Sequence, residues 1–123
     1  MSENMMLSIF ETVGSQLCVA SSDGQKVHDR LEMALKDGRR VILSFRNVST
    51  LTSAFLNAAI GQLYGAFGED RIRALLSVQD MQQDDIGLLK RVVDTAKQYF
   101  SDPQKFDQAV REALEDDDDD TQG

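Results

Sequence analysis

Val41-Ile42-Leu43-Ser44-Phe45-Arg46-Asn47-Val48-Ser49-Thr50-Leu51-Thr52-Ser53-Ala54-Phe55 is the stretch that decides the fold. Its first five residues form a short, nearly continuous apolar run, the pattern of an interior strand covered on at least one face. Asn47 to Leu51 reads as a connecting loop. Thr52 or Ser53 can cap the helix that follows, because a side-chain oxygen there accepts from an unpaired N–H of the first turn. Leu56, Ile60, Leu63 and Phe67 give that helix an apolar stripe, and Gly65 and Gly68 loosen its end.

Strand and helix signals continue on both sides. Upstream, Met5 to Val13 alternates, with Leu7, Ile9 and Val13 on one side and Ser8 and Thr12 on the other. This predicts a half-buried strand near a sheet edge. Gly14 and Ser15 break it, and Gln16 to Ala20 reads as a second short strand. Ser22 and Gln25 have capping-box spacing, so a helix is expected from Ser22. Its apolar positions are Val27, Leu31, Ala34 and Leu35, and Gly38 stops it. Downstream, Ile72 to Val78 reads as a strand. Asp80 and Gln83 repeat the capping-box spacing before a long amphipathic helix marked by Ile86, Leu89, Val93, Ala96 and Phe100. Asp102-Pro103 starts a last helix with Phe106, Ala109, Val110, Ala113 and Leu114 on one face.

Strands alternating with helices imply parallel pairing through helical crossovers. The expected fold is α/β: one mixed, mostly parallel sheet with helices mainly on one face, its first strand running antiparallel at an edge. Residues 1–114 make one domain, with 103–114 as an extra C-terminal helix and 115–123 as a disordered acidic tail.

Composition narrows the function classes. The 123 residues carry a net charge of −8 and are 41% hydrophobic, enough for one modest core. Six acidic residues run from Glu115 to Asp120, and without them the remainder carries −2. Such a body matches a phosphate backbone poorly, so nucleic acid is not the expected partner. No stretch approaches the ~20 apolar residues that span a bilayer. The N-terminal residues lack the basic start and apolar run of a signal peptide. With one cysteine, Cys18, no intramolecular disulfide can form. The expectation is a cytoplasmic protein without membrane partners.

Catalytic patterns are sparse. A Cys/His metal site needs more ligands than one Cys18 and one His28 supply. No Gly-rich phosphate loop or Gly-x-Ser-x-Gly elbow occurs. His28 reads as a surface histidine and Cys18 as a small buried hydrophobe. Asp84 and Asp85 suit the first turn of a helix, where the dipole favours negative charge. The acidic tail reads as solvated and self-repelling. No enzyme, cofactor or metal is expected.

Ser49, Thr50, Thr52 and Ser53 cluster where the strand-fed loop opens its helix. Negative charge is favoured at a helix start, so a phosphate there would be tolerated while changing the surface offered to a partner. Simple capping would need only one of these hydroxyls.

The same residues carry a family resemblance. A strand, an Asn-Val step, a hydroxyl-rich loop, Ser-x-Phe and a helix ending near Gly appear as Leu43-Ser44-Phe45-Arg46-Asn47-Val48, Thr52-Ser53-Ala54-Phe55 and Gly61. This resembles STAS domains, named for sulfate transporters and anti-sigma factor antagonists. It more closely resembles the bacterial STAS-like domains of unknown function, over roughly residues 5–100. In anti-sigma factor antagonists a partner kinase phosphorylates a serine at this helix start and changes binding. By position Ser53 matches that serine, and Thr52 stands where the motif has an aspartate. The resemblance implies a non-catalytic, protein-binding regulatory module. Its phosphoacceptor would be Ser53, and its partner a histidine-kinase-type ATPase or a regulator under its control. Ser49, Thr50, Leu51, Thr52, Ser53 and Asn57 are the partner-binding candidates. The alternative expectation is a small-ligand or nucleotide-responsive domain that holds an anion at the same helix start. Surplus apolar surface on the two C-terminal helices would point to a homodimer.

Overall fold

The computed structural model describes residues 4–101. The helix expected over 103–114 and the tail expected over 115–123 lie outside the described residues. Three strands form one parallel sheet in the order β1, β3, β5: β1 is Asn4–Ser8, β3 is Arg40–Ser44 and β5 is Leu76–Gln79. The apolar run at 41–45 thus supplies the central strand. Register places Met5, Val41 and Leu76 in one row and Leu7, Leu43 and Val78 in another. Residues two apart share a face, so these rows face the core, except that Val78 on the edge strand is 38% exposed. Leu7, Val41 and Leu43 are buried there. The opposite face is open, with Met6 58% exposed and Ser77 exposed, as expected for helices mainly on one side.

The first strand departs from expectation. It is an edge strand, but it runs parallel to β3 and stops at Ser8. Residues Ile9–Val13 form a short helix, α1, because Ser8 caps it by accepting from the Glu11 amide at 3.1 Å. Thr12 reinforces the turn by donating its hydroxyl to the Ser8 carbonyl at 2.7 Å. Gly14 closes α1 in the left-handed conformation at φ 82°. The second short strand, β2 (Leu17–Cys18), joins no strand of the main sheet. It pairs in parallel with β4 (Thr50–Leu51), which forms inside the segment expected to be a loop.

Helix α2 (Ser21–Lys36) has Ala20 at its N-cap position, two residues before the expected Ser22 and without a side-chain cap. Gln25 turns away from the helix start and donates to Asp29 at 2.9 Å. Val27, Leu31, Ala34 and Leu35 are buried as their spacing requires. His28 is buried as well, only 8% exposed, and not on the surface as its polar neighbours suggested. It follows Val27 on the inner side of α2, with its Nε2 3.7 Å from Glu32. Gly38 stops the helix at φ 74°. Arg71 completes that end by donating Nε and Nη2 to the Leu35 carbonyl at 3.2 and 2.7 Å.

The helix after the junction is one continuous rod over residues 53–66. It comprises α3 (Ser53–Leu56), a π turn (Asn57–Gly61) and α4 (Leu63–Ala66). The π turn shows directly in the Gln62 amide, which donates to the Asn57 carbonyl at 3.0 Å. Two glycines permit the packing around it. A Cβ on Gly24 would lie 2.4 Å from the Phe55 carbonyl oxygen and 2.9 Å from Ala58 Cβ, so α2 and the rod cross backbone to backbone. A Cβ on Gly61 would lie 2.6 Å from Asn57 Oδ1, whose side chain folds along the rod.

The segment expected to be a strand from Ile72 is helical first. Helix α5 (Glu69–Leu75) has Glu69 and Asp70 in its first turn, and only from Leu76 does the chain extend into β5. Asp80 does not cap the last helix. It sits at φ 63° in the turn before it. Helix α6 (Gln83–Ser101) has Asp84 and Asp85 in its first turn, as anticipated. Its inward face holds most of the expected stripe, with Ala96 buried and Leu89 and Val93 packed against the core; Val92 is buried as well, while Ile86 at the start is 50% exposed. No helix among the described residues is long and apolar enough to cross a membrane.

Candidate functional site

The junction between β3 and the rod is pinned to the loop before α2. The Ser49 amide donates to the Gln16 carbonyl at 2.9 Å and the Ser49 hydroxyl donates to the same oxygen at 3.2 Å. Leu17 and Cys18 then pair with Thr50 and Leu51. Thr52 closes the strap by donating Oγ1 to the Val19 carbonyl at 2.7 Å, while Oγ1 also accepts from the Phe55 amide at 3.1 Å. Thr52 is therefore the helix cap, and its hydroxyl is fully engaged.

The six candidate residues separate into two roles. Ser49 and Thr52 hold the backbone. Leu51 is half-buried and packs against the core. Thr50, Ser53 and Asn57 are exposed. The Ser53 hydroxyl makes no hydrogen bond to the described residues, although it stands on the first turn of the rod. Ser53 and Asn57 also border one groove of about 640 Å³, shared with Ala54 on the rod and with Leu88, Arg91, Val92 and Thr95 on α6. Ser49, Thr50 and Leu51 lie outside this groove, on the strap beside it.

Arg91 is the groove residue that sequence reasoning did not find. It lies 38 positions beyond Ser53, on an exposed flank of α6, and makes no ion pair or hydrogen bond among the described residues. Its unpaired guanidinium and the rod's first-turn N–H groups both favour negative charge at the groove mouth. Among the described residues no carboxylate lines the groove.

Behind the junction lies Cys18, wholly buried beside its pairing partner Leu51. Burial first, and the negative charge of Asp23 second, push its thiol up to about 11. At neutral pH it stays protonated, which suits packing and not nucleophilic chemistry. Glu69 ties α5 to α6 by accepting from Lys97 at 3.0 Å, and it also pairs with Arg73. The Lys97 hydrogen bond holds its carboxyl below the usual range. Among the described residues no group of three or more His, Cys, Asp or Glu side chains could hold a metal.

A parallel sheet whose central strand feeds a capped helix start, with helices gathered on one face, defines a small α/β module of the STAS type. The family model for the STAS-like domain of unknown function (DUF4325) matches residues 23–85, and the chain belongs to that family. The match runs from the first turn of α2 to the first turn of α6 and contains the whole junction. No curated protein and no solved structure matches the chain.

Proposed function

We propose that the chain is a non-catalytic, protein-binding regulatory module whose docking surface is the junction over residues 49–57. The unbonded, exposed Ser53 hydroxyl carries this reading. Capping is completed by Thr52 alone, so the fold makes no use of Ser53. A phosphate on Ser53 would add a charge of roughly −1.5 to −2 on the first turn of the rod, where the helix dipole tolerates it. The surface seen by a partner would change while the fold would not. Family membership supports the architecture, and the resemblance to anti-sigma factor antagonists supports a histidine-kinase-type ATPase as the partner class.

The test is affinity capture from the native host with the wild type, Ser53→Asp and Asn57→Ala. Matched thermal melts verify that each variant is folded. Leu51→Asp is unsuitable, because Leu51 packs against the core. The expected result is a partner recovered by the wild type and depleted by Ser53→Asp. Identical recovery by all three chains contradicts the reading.

The unpaired Arg91 favours a second reading, in which an anion occupies the groove mouth. Thermal shift against inorganic phosphate and nucleotides separates the two. Saturable stabilisation that is lost in Ser53→Ala and Arg91→Ala would promote it.

A further inference from the structure

We propose that the groove between the rod and α6 is the docking site of the chain's own C-terminal segment, with the acidic run Glu115–Asp120 seated against Arg91 and the rod's first turn. The two helices bordering the groove run in the same direction. Ser53 faces Leu88 and Arg91 at one end, Gly61 meets Val92 midway, and Gly65 meets the Phe100 ring at the other end. The described chain leaves α6 at Ser101, beside Gly65, at the end away from Arg91. Arg91 lies ten residues back, about 15 Å along the helix. The segment that follows has Pro103 near its start and an apolar repeat at Phe106, Ala109, Val110, Ala113 and Leu114, immediately before six acids. The thirteen residues between Ser101 and Glu115 can reach well beyond that distance, at up to about 3.3 Å per residue. The length of that segment lets the acidic run reach Arg91 and the apolar repeat reach Val92. The charges are complementary: among the described residues the groove offers the unpaired Arg91 and a helix N-terminus, and no lining carboxylate opposes the run.

Such a tail is an internal competitor for the surface bordered by Ser53 and Asn57. This consequence rests on the partner-binding reading above, while the docking itself does not. Phosphate on Ser53 would repel the acidic run and release it.

The docking is tested on the full chain with a nitroxide attached through Asp118→Cys. Cys18 is wholly buried, which directs labelling to the introduced thiol. Amide signals of a ¹⁵N-labelled sample are compared before and after reduction of the nitroxide. The expected result is at least a twofold intensity loss at Ser53, Asn57 and Arg91, with Met6 and Ser77 on the open sheet face unaffected. Arg91→Glu should abolish the loss. Even broadening over the surface, broadening centred on the sheet face, or insensitivity to Arg91→Glu overturns the proposal. So does equal broadening in a mixture of ¹⁵N-labelled, nitroxide-free chains with nitroxide-bearing, unlabelled chains, because that would place the tail on a second copy. No partner is present in the tube, so the outcome is separate from the capture experiment.

Discussion

Replacing Gly24 by Ala should destabilise the protein, although the same change normally strengthens a helix. Gly24 lies in the first turns of α2, where alanine is favoured over glycine by about 1 kcal/mol on propensity alone. The added methyl would meet the Phe55 carbonyl oxygen at 2.4 Å and Ala58 Cβ at 2.9 Å. The first contact is with backbone, so no side chain can swing away. Relief requires α2 and the rod to part, which opens the core around Val27, Phe55 and Ala59. Overpacking of this kind costs about 1–3 kcal/mol, and a backbone clash belongs at the upper end. After subtracting the propensity gain, the net loss is about 2 kcal/mol. For a domain of this size that lowers Tm by about 8–10 °C. Gly87 supplies the control, since it is exposed in α6 and an added Cβ there meets nothing within 4 Å. Gly87→Ala should therefore stabilise by about 0.5–1 kcal/mol. Urea unfolding and thermal melts of the two variants decide the matter. If Gly24→Ala matches Gly87→Ala in sign, the backbone-to-backbone crossing that positions the rod is wrong.

Three further outcomes follow from the site. Thr52→Ala removes the cap of the rod and its bond to Val19, and should cost about 1–2 kcal/mol in urea unfolding, whereas Ser53→Ala should change stability by less than about 0.5 kcal/mol. Hydrogen exchange should quicken at residues 16–19 in Thr52→Ala and stay unchanged in Ser53→Ala. The Cys18 thiol ionises near 9.0 when exposed and near 11 when folded, so its contribution to stability is complete below pH 9 and declines as pH rises towards 11. Urea midpoints from pH 8 to 10.5 should fall more steeply for the wild type than for Cys18→Ala. Glu69 is displaced in the opposite direction, so its contribution is present above the ordinary carboxylate range and declines as pH falls through its lowered value. Glu69→Gln should flatten part of the acid limb of the stability profile.

The junction was legible because several local signals agreed there. An apolar run bounded by polar residues, a hydroxyl cap and a helical apolar repeat all pointed to a strand feeding a helix. Elsewhere one signal masked another. At Ile9–Val13 the alternation of apolar residues suggested a strand, yet Ser8 and Glu11 already stood at capping-box spacing, and that pair won. At Glu69–Leu75 the run Ala74-Leu75-Leu76 suggested a strand, while two acids in the first turn marked a helix start. Ser22 and Gln25 showed the same spacing and did not cap, because α2 begins before them. Features that depend on distant contacts left no local trace. The pairing of β2 with β4 is fixed by Gln16 meeting Ser49, the burial of His28 by what α2 packs against, and the place of Arg91 by the docking of α6 on the rod. The π turn adds one residue to a helical turn, a change that a 3.6-residue repeat hides.

The footprint of a captured partner bears most directly on the role given to the junction. Hydrogen exchange would be followed on the free chain and on the complex. Slower exchange confined to residues 49–57 and the adjoining turns of α6 around Arg91 is the outcome this account requires. Protection falling instead on the open sheet face around Met6, Ile42 and Ser77, with the start of the rod exchanging at its free rate, would contradict it.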